Sequence, residues 1–386
     1  MPEPSVDILI PVFNAAETIQ GAIESIQAQT VRDIRIIVVD DGSTDSTPAI
    51  LSALASQDPR IEIVSQAANG GIVEALNTGL GRCRAEYLAR HDGDDLAHPD
   101  RLAKQLAFLR SHPDHVAVGG AVRHVDAAGR PLGHIARLAP PELANPHWAP
   151  TIGPYITHPF LMTYRSSVEQ IGGYRYAFHA EDTDLFWRLQ ELGRLHNLDD
   201  VLGDYRMHEN SISSRSVVNG RIVALSSELA GISALRRRHG QPDLTFRKEG
   251  LREYLQAESL ERIFRLGARQ LTRTETDSLE ISLAAKLLEL TSYRPFELDV
   301  GDCRFIRRAL VRHIGRLVPA NRSTLRRMWA GTAARLLSKA RFREAKALAA
   351  PQLYPEVMSR VAFRTLTTHG VRRSIRRFAG REISLK

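Results

Sequence analysis

Cysteine is almost absent from this chain, since Cys83 and Cys303 are the only two among 386 residues. A disulfide framework is therefore excluded, and we expect a reducing, cytoplasmic setting. The N-terminal stretch MPEPSVDILIPVF has neither a basic segment nor a long apolar core, so no signal peptide is expected. Nowhere do about 18 apolar residues follow one another, which argues against a membrane-spanning helix.

The length predicts two domains, and charge is divided unevenly along the chain. Residues 1–215 hold 18 Lys and Arg against 28 Asp and Glu, whereas residues 216–386 hold 34 against 16. Leucine, alanine and arginine dominate after residue 215. We therefore predict an acidic domain over residues 1–215 and a basic, all-helical one over residues 216–386. The arginine content is not interpreted as nucleic-acid binding, and no nucleic-acid partner is expected.

The first part alternates apolar runs with helical patterns. Four strands are predicted, over residues 6–12, 34–39, 61–64 and 87–90. Strands alternating with helices at this spacing favour an α/β fold with a mostly parallel sheet and right-handed crossovers. Such sheets bind ligands at the carboxyl ends of their strands. The two acidic clusters, Asp40-Asp41 and Asp92 to Asp95, both follow predicted strands.

The motif Asp92-Gly93-Asp94, with Asp95 next to it, carries the first chemical signal. Carboxylates on a short turn can hold a hard divalent cation and leave positions for phosphate oxygens. The alternative is a solvated acidic turn, because Asp and Gly are ordinary turn residues. The position after a buried strand, and before a helix opened by Pro99, favours the metal site.

The motif Asp40-Asp41-Gly42-Ser43 carries the second signal. A carboxylate at a strand end can accept a hydrogen bond from the N3–H of uracil or from a ribose hydroxyl. The alternative is a turn with the helix-capping residues Ser43, Asp45 and Ser46. We interpret Ser46 as such a cap and Asp41 as a nucleotide contact.

Glu181-Asp182-x-Asp184 opens a predicted helix and carries the third signal. An acceptor hydroxyl needs a carboxylate base to take its proton as it attacks, and Asp182 is the candidate. The alternative is helix capping, because acidic residues favour helix N-termini. The spacing alone leaves both interpretations open, and Asp184 is expected to contribute far less to catalysis.

A family resemblance follows from these motifs taken together. The segments that carry it are VDILIPVFNAAETIQGAIESIQAQT, VVDDGSTDST, NGG, ARHDGDD and HAEDTDLFWRL. In this order, over residues 5–215, they resemble family 2 glycosyltransferases of the GT-A fold. The resemblance implies a Rossmann-like sheet with flanking helices, followed here by a helical C-terminal region. It also implies transfer of a sugar from a nucleotide-diphosphate sugar with inversion at the anomeric carbon.

The resemblance further implies roles for particular residues. Asp182 would be the general base, and Asp92 and Asp94 would hold Mn²⁺ or Mg²⁺. Tyr205-Arg206-x-His208 resembles a downstream YRxH element, in which His208 would complete the metal shell and Arg206 would meet the diphosphate; both could equally be strand-end polar residues. The remaining residues expected to bind the nucleotide sugar are Pro11, Phe13, Asn14, Asp41, Asn69, Gly71, Asn77, Arg90, Asp92 and Gly93.

The expected donor is a nucleotide-diphosphate sugar, with a UDP-sugar favoured. A glycan or lipid-linked acceptor is expected, in cell-surface glycan or polysaccharide biosynthesis. The processive QxxRW signature is absent from the sequence, which argues against a synthase that extrudes its product. A sugar-nucleotide pyrophosphorylase is one alternative, but residues 11–14 lack its Gly- and Arg-rich loop. A nucleotide-sugar-binding scaffold without catalysis is another, against which the intact Asp92, Asp94 and Asp182 argue.

Three smaller features complete the sequence-based predictions. His158 is expected to be a satisfied turn residue and Trp187 a core residue. A basic amphipathic helix is predicted near the C-terminus, and it favours peripheral contact with the inner face of the cell membrane; a solvated arginine face on a packed helix is the alternative. The apolar face of this helix is formed by Val371, Ile375 and Phe378, and its basic face by Arg372, Arg373, Arg376 and Arg377.

Overall fold

The structure is a computed structural model that describes residues 5–207, 217–293 and 296–366. These residues form two compact units. The first contains residues 5–147, 151–207 and 229–251. The second contains residues 148–150, 217–228 and the described residues from 252 onwards.

The first unit is built on one sheet of nine strands. They are β1 (Val6–Val12), β2 (Ile34–Asp40), β3 (Ile61–Ser65), β4 (Tyr87–Arg90), β5 (Leu96–Ala97), β6 (His115–Val125), β7 (Pro131–Ala136), β8 (Met162–Tyr164) and β9 (Arg194–Arg206). Their order is β3-β2-β1-β4-β8-β6-β9-β5, with β7 beside β6. Because β5, β7 and β8 alone run against the others in the described sheet, it is mostly parallel, as predicted.

Helices cover this sheet and bury their apolar faces on it. They are α1 (Ile19–Gln27), α2 (Thr47–Gln57), α3 (Ile72–Leu80), α4 (Arg101–Ser111), α5 (Arg165–Gln170) and α6 (Glu181–Leu189). In α1, Ile19, Ile23 and Ile26 recur at helical spacing and are fully buried. The strand β1 is buried along its whole length, which explains its continuous apolar sequence. All four predicted strands are present, with β2 and β3 each one residue longer than expected.

The second unit is helical in its described part, as predicted. The α-helices described from residue 217 onwards are α7 (Val217–Arg238), α8 (Gly250–Leu255), α9 (Leu260–Gly267), α10 (Arg273–Tyr293), α11 (Val300–His313), α12 (Pro319–Ser338), α13 (Phe342–Leu348) and α14 (Tyr354–Leu366). Those from α9 onwards lie wholly in the second unit, whereas α7 and α8 each have residues in both units. A capping box formed by Asp299 and Asp302 starts α11, and Asp302 also pairs with the buried Arg221. No helix in the described part of the chain is both long and apolar enough to span a bilayer.

The sheet unit also contains residues beyond the predicted boundary at residue 215. Residues 229–251, which include the second half of α7, belong to the sheet unit, whereas residues 217–228 belong to the helical one. Trp187 of α6 is fully buried and packs against Ala230 and Ala234 of α7, which confirms it as a core residue. A turn of helix from beyond the predicted boundary is therefore part of the core of the sheet unit.

Candidate active site

Strand register brings the candidate residues to one edge of the sheet. Val12 at the end of β1 is paired with Asp40 at the end of β2, and Leu9 is paired with Arg90 at the end of β4. Asp40 is in turn paired with Ser65 of β3. The loops that follow these four parallel strands therefore emerge side by side, which is where such sheets bind ligands.

The first loop is fastened to the second by Asn14. Its backbone N–H donates to Ser43 Oγ over 2.9 Å, and its Oδ1 accepts from the Thr44 N–H over 2.8 Å. Asn14 has a φ of 50°, in the left-handed region that asparagine tolerates better than most residues. The neighbouring Phe13 ring is 45% exposed, whereas Pro11 is buried within β1. The loop thus presents Phe13 to solvent beside the Asp40-Asp41-Gly42-Ser43 motif.

Asp41 joins the second loop to the Asn69-Gly70-Gly71 turn. Its Oδ1 accepts from the Gly70 N–H over 2.7 Å and its Oδ2 from the Gly71 N–H over 2.9 Å. Burial raises the pKa of the Asp41 carboxyl, while the two amide hydrogen bonds oppose that rise. Two motifs separated in sequence are therefore one structural feature, with Asn69 exposed at its surface.

Gly42 makes this junction possible. It has a φ of 71°, and a Cβ there would lie 2.7 Å from the carbonyl carbon of Ala68. Only glycine combines this backbone conformation with such a close approach.

Asn77 binds another stretch of main chain. Its Nδ2 donates to the Tyr174 carbonyl and its Oδ1 accepts from the Tyr174 N–H, both over 2.9 Å. Both ends of the amide thus hold Tyr174 against α3. A contact between Asn77 and a donor stays a prediction.

The Asp92-Gly93-Asp94-Asp95 turn follows β4. Carboxylate oxygens of Asp92, Asp94 and Asp95 all lie within 4.8 Å of one another. Arg90 is buried, and its Nη2 lies 2.5 Å from Asp92 Oδ1. A Cβ on Gly93 would lie 2.7 Å from Val12 Cγ1, so the absence of a side chain lets the turn pack onto β1.

Arg206, the last residue of β9, supports this turn. The Arg206 N–H donates to Asp95 Oδ1 over 2.8 Å, and its guanidinium donates to the carbonyls of Asp94 and Ala127. Arg206 therefore joins the Asp92–Asp95 turn to the β6–β7 hairpin. Sequence spacing does not reveal this contact. His208 lies outside the described residues.

The donor set fits a hard divalent cation. All three side chains offer carboxylate oxygens, the ligands that Mg²⁺ and Mn²⁺ prefer. Asp95 Oδ2 is buried and has no hydrogen-bond partner among the described residues. Burial, and then the neighbouring Asp92 and Asp94 carboxylates, raise the pKa of Asp95 well above its ordinary value. A cation would relieve this crowding of negative charge.

Arg90 also connects the turn to the Glu181-Asp182 motif. Its pKa is raised, because attraction to Asp92, Tyr174 and Glu181 outweighs the opposing effect of its burial. Its Nε and Nη1 have no hydrogen-bond partner in the described part of the chain.

The Tyr174 hydroxyl lies 2.8 Å from Nε2 of the buried His158, which confirms His158 as a satisfied residue.

The first turn of α6 carries two carboxylates beside this cluster. Asp182 Oδ1 accepts from the Thr183 N–H over 2.6 Å, so part of its role is to bind a free amide of the first turn. Glu181 has a buried Oε2 without a hydrogen-bond partner among the described residues. Burial, and then the charge of Asp182, raise the pKa of Glu181 to about 7. Glu181 lies in the predicted motif, but its spacing alone indicates no role for it.

Asp184 does not behave as a helix-capping residue. It is fully buried and pairs with Arg175 and with Arg188, whose Nη2 lies 2.7 Å from Asp184 Oδ2. These ion pairs give Asp184 a structural role, and its smaller contribution to catalysis stays a prediction.

The expectation for Ser46 was wrong: it stands at the start of α2 but makes no side-chain cap, and Asp45 binds the Thr47 N–H instead.

Lys248 is a charged group near the site that the sequence analysis did not identify. Its Nζ lies 2.8 Å from Glu74 Oε2, and Glu74 also accepts from the Tyr176 hydroxyl. The Asp41 charge contributes to raising the pKa of Lys248, although the hydrogen bond to Glu74 is the main cause. No sequence motif marks Lys248, and it lies beyond residue 215.

Solved structures define the class of fold. The mannosyltransferase PcManGT from Pyrobaculum calidifontis, in complex with GDP-Man and Mn²⁺, matches with a TM-score of 0.50 and 18% identity, over 92% of this chain and 84% of that one. The S. aureus protein TarS (residues 1–349), in complex with UDP-GlcNAc, matches with a TM-score of 0.50 and 17% identity, over 89% of each chain. The fold is the GT-A fold, as the sequence implies.

Sequence comparisons define the family. The profile described as "Glycosyl transferase family 2" matches residues 7–172. The putative glycosyltransferase EpsE of Bacillus subtilis is 32% identical over 213 residues, which are 54% of this chain and 74% of EpsE. The amylovoran biosynthesis glycosyltransferase AmsE of Erwinia amylovora is 32% identical over 215 residues, 54% of this chain and 78% of AmsE. This chain therefore belongs to glycosyltransferase family 2.

Proposed function

We propose that this chain is an inverting, metal-dependent glycosyltransferase that moves a sugar from a nucleotide-diphosphate sugar to an acceptor hydroxyl. The observation that carries the proposal is the meeting of the Asp92–Asp94–Asp95 cluster with Arg90 and the Glu181–Asp182 pair at one sheet edge. A cluster suited to a cation thus lies beside a carboxylate suited to accept a proton.

The nucleoside would bind between the first two loops and the Asn69–Gly71 turn. Each Asp41 oxygen already accepts one backbone N–H and has capacity for a second hydrogen bond. The N3–H of uracil or a ribose hydroxyl would supply it, which favours UDP. The exposed Phe13 ring offers an apolar surface for the base, and Asn14 holds the loop that presents it.

The diphosphate would lie at the Asp92-Gly93-Asp94 turn. Mn²⁺ or Mg²⁺ held by Asp92 and Asp94, with His208 as a further ligand, would neutralise charge that develops on the leaving diphosphate. Arg90 keeps Asp92 in place, and Arg206 keeps the backbone of Asp94 in place. A contact from Arg206 to the diphosphate stays part of the proposal.

The reaction would proceed by a single displacement. The acceptor oxygen forms a bond to the anomeric carbon on the face opposite the diphosphate. The bond from that carbon to the phosphate oxygen breaks, and its electron pair leaves with the nucleoside diphosphate. Asp182 takes the hydroxyl proton, so one proton moves from acceptor to carboxylate in the same step.

The test uses UDP and GDP as probes on the full chain. With Mn²⁺ present, one of them should raise the unfolding temperature, and excess EDTA should abolish the rise. Asp92→Asn combined with Asp94→Asn should have the same effect as EDTA. Asp100→Asn is the matched control, because its carboxylate is half exposed and pairs only with Lys104 among its described salt bridges. Stabilisation that survives both EDTA and the double change would refute the metal assignment.

The acceptor is proposed to be a glycan or a lipid-linked glycan in cell-surface polysaccharide biosynthesis. The similarity to AmsE, named for amylovoran biosynthesis, supports this class. A lipid-linked acceptor would require the protein to work at the inner face of the cell membrane.

The basic amphipathic segment around Val371 and Phe378 would supply this membrane contact; it lies outside the described residues. Removing the residues after Thr368 should release the chain from anionic vesicles at low salt. If the intact chain shows no vesicle binding, the membrane contact is wrong.

A further inference from the structure

A second group of possible metal ligands lies apart from the candidate active site. His115 is the first residue of β6, His196 lies on the adjacent β9, and Glu142 lies in a short turn at Pro141–Leu143. One ring nitrogen from each histidine and one carboxylate oxygen lie within 4.8 Å of one another. The strand pair thus aligns two imidazoles that are 81 residues apart in the sequence.

The orientation of His115 is already fixed. It is buried, and its Nδ1 lies 2.9 Å from Asp114 Oδ1. Donation of the Nδ1 proton to this carboxylate leaves Nε2 as the nitrogen with a lone pair. Metal-binding histidines almost always have such a partner on their other nitrogen, since it fixes the tautomer and strengthens the ligand.

Phe108 holds the two imidazole planes. Its ring stacks on His196 with centroids 4.5 Å apart and meets the His115 ring edge-on at 5.1 Å. The two imidazoles are nearly perpendicular to each other, with centroids 5.9 Å apart. Rings held in this way need only small adjustments to converge on one ion.

Solvent has access to this group. An open cavity of about 450 Å³ is lined by Asp114, Glu142 and Arg194, among other residues. Because Glu142 lines this cavity, an ion in solvent can reach the carboxylate end of the group. Arg194 is the competing charge, because its Nη2 lies 3.7 Å from Glu142 Oε1. At this length the ion pair is loose and does not occupy the carboxylate.

We propose that His115, His196 and Glu142 form a zinc-type metal site. Two imidazole nitrogens and one carboxylate, with an open fourth position, are a ligand set typical of Zn²⁺, whereas the all-carboxylate turn at Asp92 suits harder cations. By binding Glu142 and both histidines, the ion would fix the segment that carries Glu142 to strands β6 and β9. The group Asp277, Glu280 and His313 differs, because arginine side chains already pair with Glu280.

The test is a calorimetric titration of the full chain with Zn²⁺ while millimolar Mg²⁺ is present to occupy the carboxylate turn. One Zn²⁺ should bind per chain and raise the unfolding temperature. Asp114→Asn should weaken zinc affinity about 10–100-fold, as loss of such a supporting carboxylate does. The Asp114 side chain is 57% exposed, so this change should leave the fold intact, which the unfolding temperature without Zn²⁺ checks. Glu142→Gln should weaken zinc affinity at least as much.

His112→Gln is the matched control. His112 is exposed and belongs to the same aromatic cluster, but it is outside the ligand group. Its zinc affinity should equal that of the unchanged chain. The proposal is overturned if the intact chain binds no Zn²⁺, or if His112→Gln loses as much affinity as Glu142→Gln. It is also overturned if Asp114→Asn and Glu142→Gln both keep full affinity.

Discussion

Asp182 has two roles to distinguish, and a single substitution separates them. Its Oδ1 accepts the Thr183 N–H, and an asparagine Oδ1 can do the same. Asp182→Asn should therefore keep stability while removing the proton acceptor. Turnover of a sugar donor that carries the stabilising nucleotide should fall about 10²–10⁴-fold. Steady-state rates and urea unfolding, measured on the same preparation, test both parts.

The control for Asp182 is Asp299→Asn. Asp299 caps α11 by accepting the Asp302 N–H, so it is also an aspartate at a helix start, but it lies outside the sheet unit. Its turnover should be unchanged. Near-normal turnover in Asp182→Asn would refute the assignment of Asp182 as the general base.

Glu181 should make stability depend on pH. Its pKa is raised from an ordinary 4.5 to about 7 in the folded chain. Between these values only the folded state keeps the proton, so the stability that Glu181 contributes is lost as pH rises from 4.5 to 7 and stays constant above. Glu181→Gln should remove this part of the slope.

Urea unfolding of both chains at several pH values between 5 and 8 measures the difference. The partly exposed Glu191→Gln should keep the slope of the unchanged chain. Parallel curves for Glu181→Gln and the unchanged chain would contradict the raised pKa.

At the scale of elements, α6 is anchored by a buried charge. Asp184 pairs with Arg175 and Arg188, and Asp243 binds Arg175 from the far side. Asp184→Asn would leave two arginines without their shared carboxylate and should lower the free energy of unfolding by about 3–5 kcal/mol. Urea unfolding measures this loss directly.

Glu191→Gln is the comparison for Asp184. Glu191 lies two residues beyond the end of α6, and its pair with Arg237 is partly exposed. Such pairs contribute about 0–1 kcal/mol, so the loss should be small. Equal losses in the free energy of unfolding for the two variants would show that the buried ion pairs of Asp184 stabilise the fold no more than the partly exposed pair of Glu191.

The elements themselves could be predicted because each depends on local pattern. The β-branched run before Asp40 and the isoleucines of α1 indicate a strand and a helix without any knowledge of the rest. The placement of Asp41 and Asp92 at one edge follows from the parallel order of the strands. Partners across space do not follow from such patterns. Neither Arg175 nor Asp243 is at a spacing that marks Asp184, and no local rule joins Asp41 to Gly70.

Residue 215 marks a change in composition more clearly than a boundary of structure. The composition changes there because α7 begins, and one helix replaces the alternating pattern of strands. Residues 229–251 nevertheless belong to the sheet unit. A helix that passes from one unit into the other has no periodicity signal at the crossing point, so sequence pattern alone does not show that the chain returns to the sheet unit at residue 229.

Residues 229–251 should be required for a stable sheet unit. In the full chain, Ala230 and Ala234 cover Trp187, and Asp243 binds Arg175. A chain ending at residue 215 would lose both contacts. Uncovering the Trp187 ring costs about 25 cal/mol for each Å² of apolar surface that becomes exposed, and Arg175 would keep only Asp184 of its two carboxylate partners. A chain ending at residue 251 would keep both contacts. We expect residues 1–251 to unfold cooperatively and to bind the nucleotide that stabilises the full chain with Mn²⁺, and residues 1–215 to do neither.

Calorimetry and urea unfolding of the two truncated chains make the comparison. Ala234→Asp in the full chain is the independent check, because it places a charge against Trp187 without removing any segment. It should lower stability in the same direction as the shorter truncation. If residues 1–215 unfold at the same urea concentration as residues 1–251 and bind the nucleotide equally well, the sheet unit ends where the composition changes, and the second half of α7 is not part of its core.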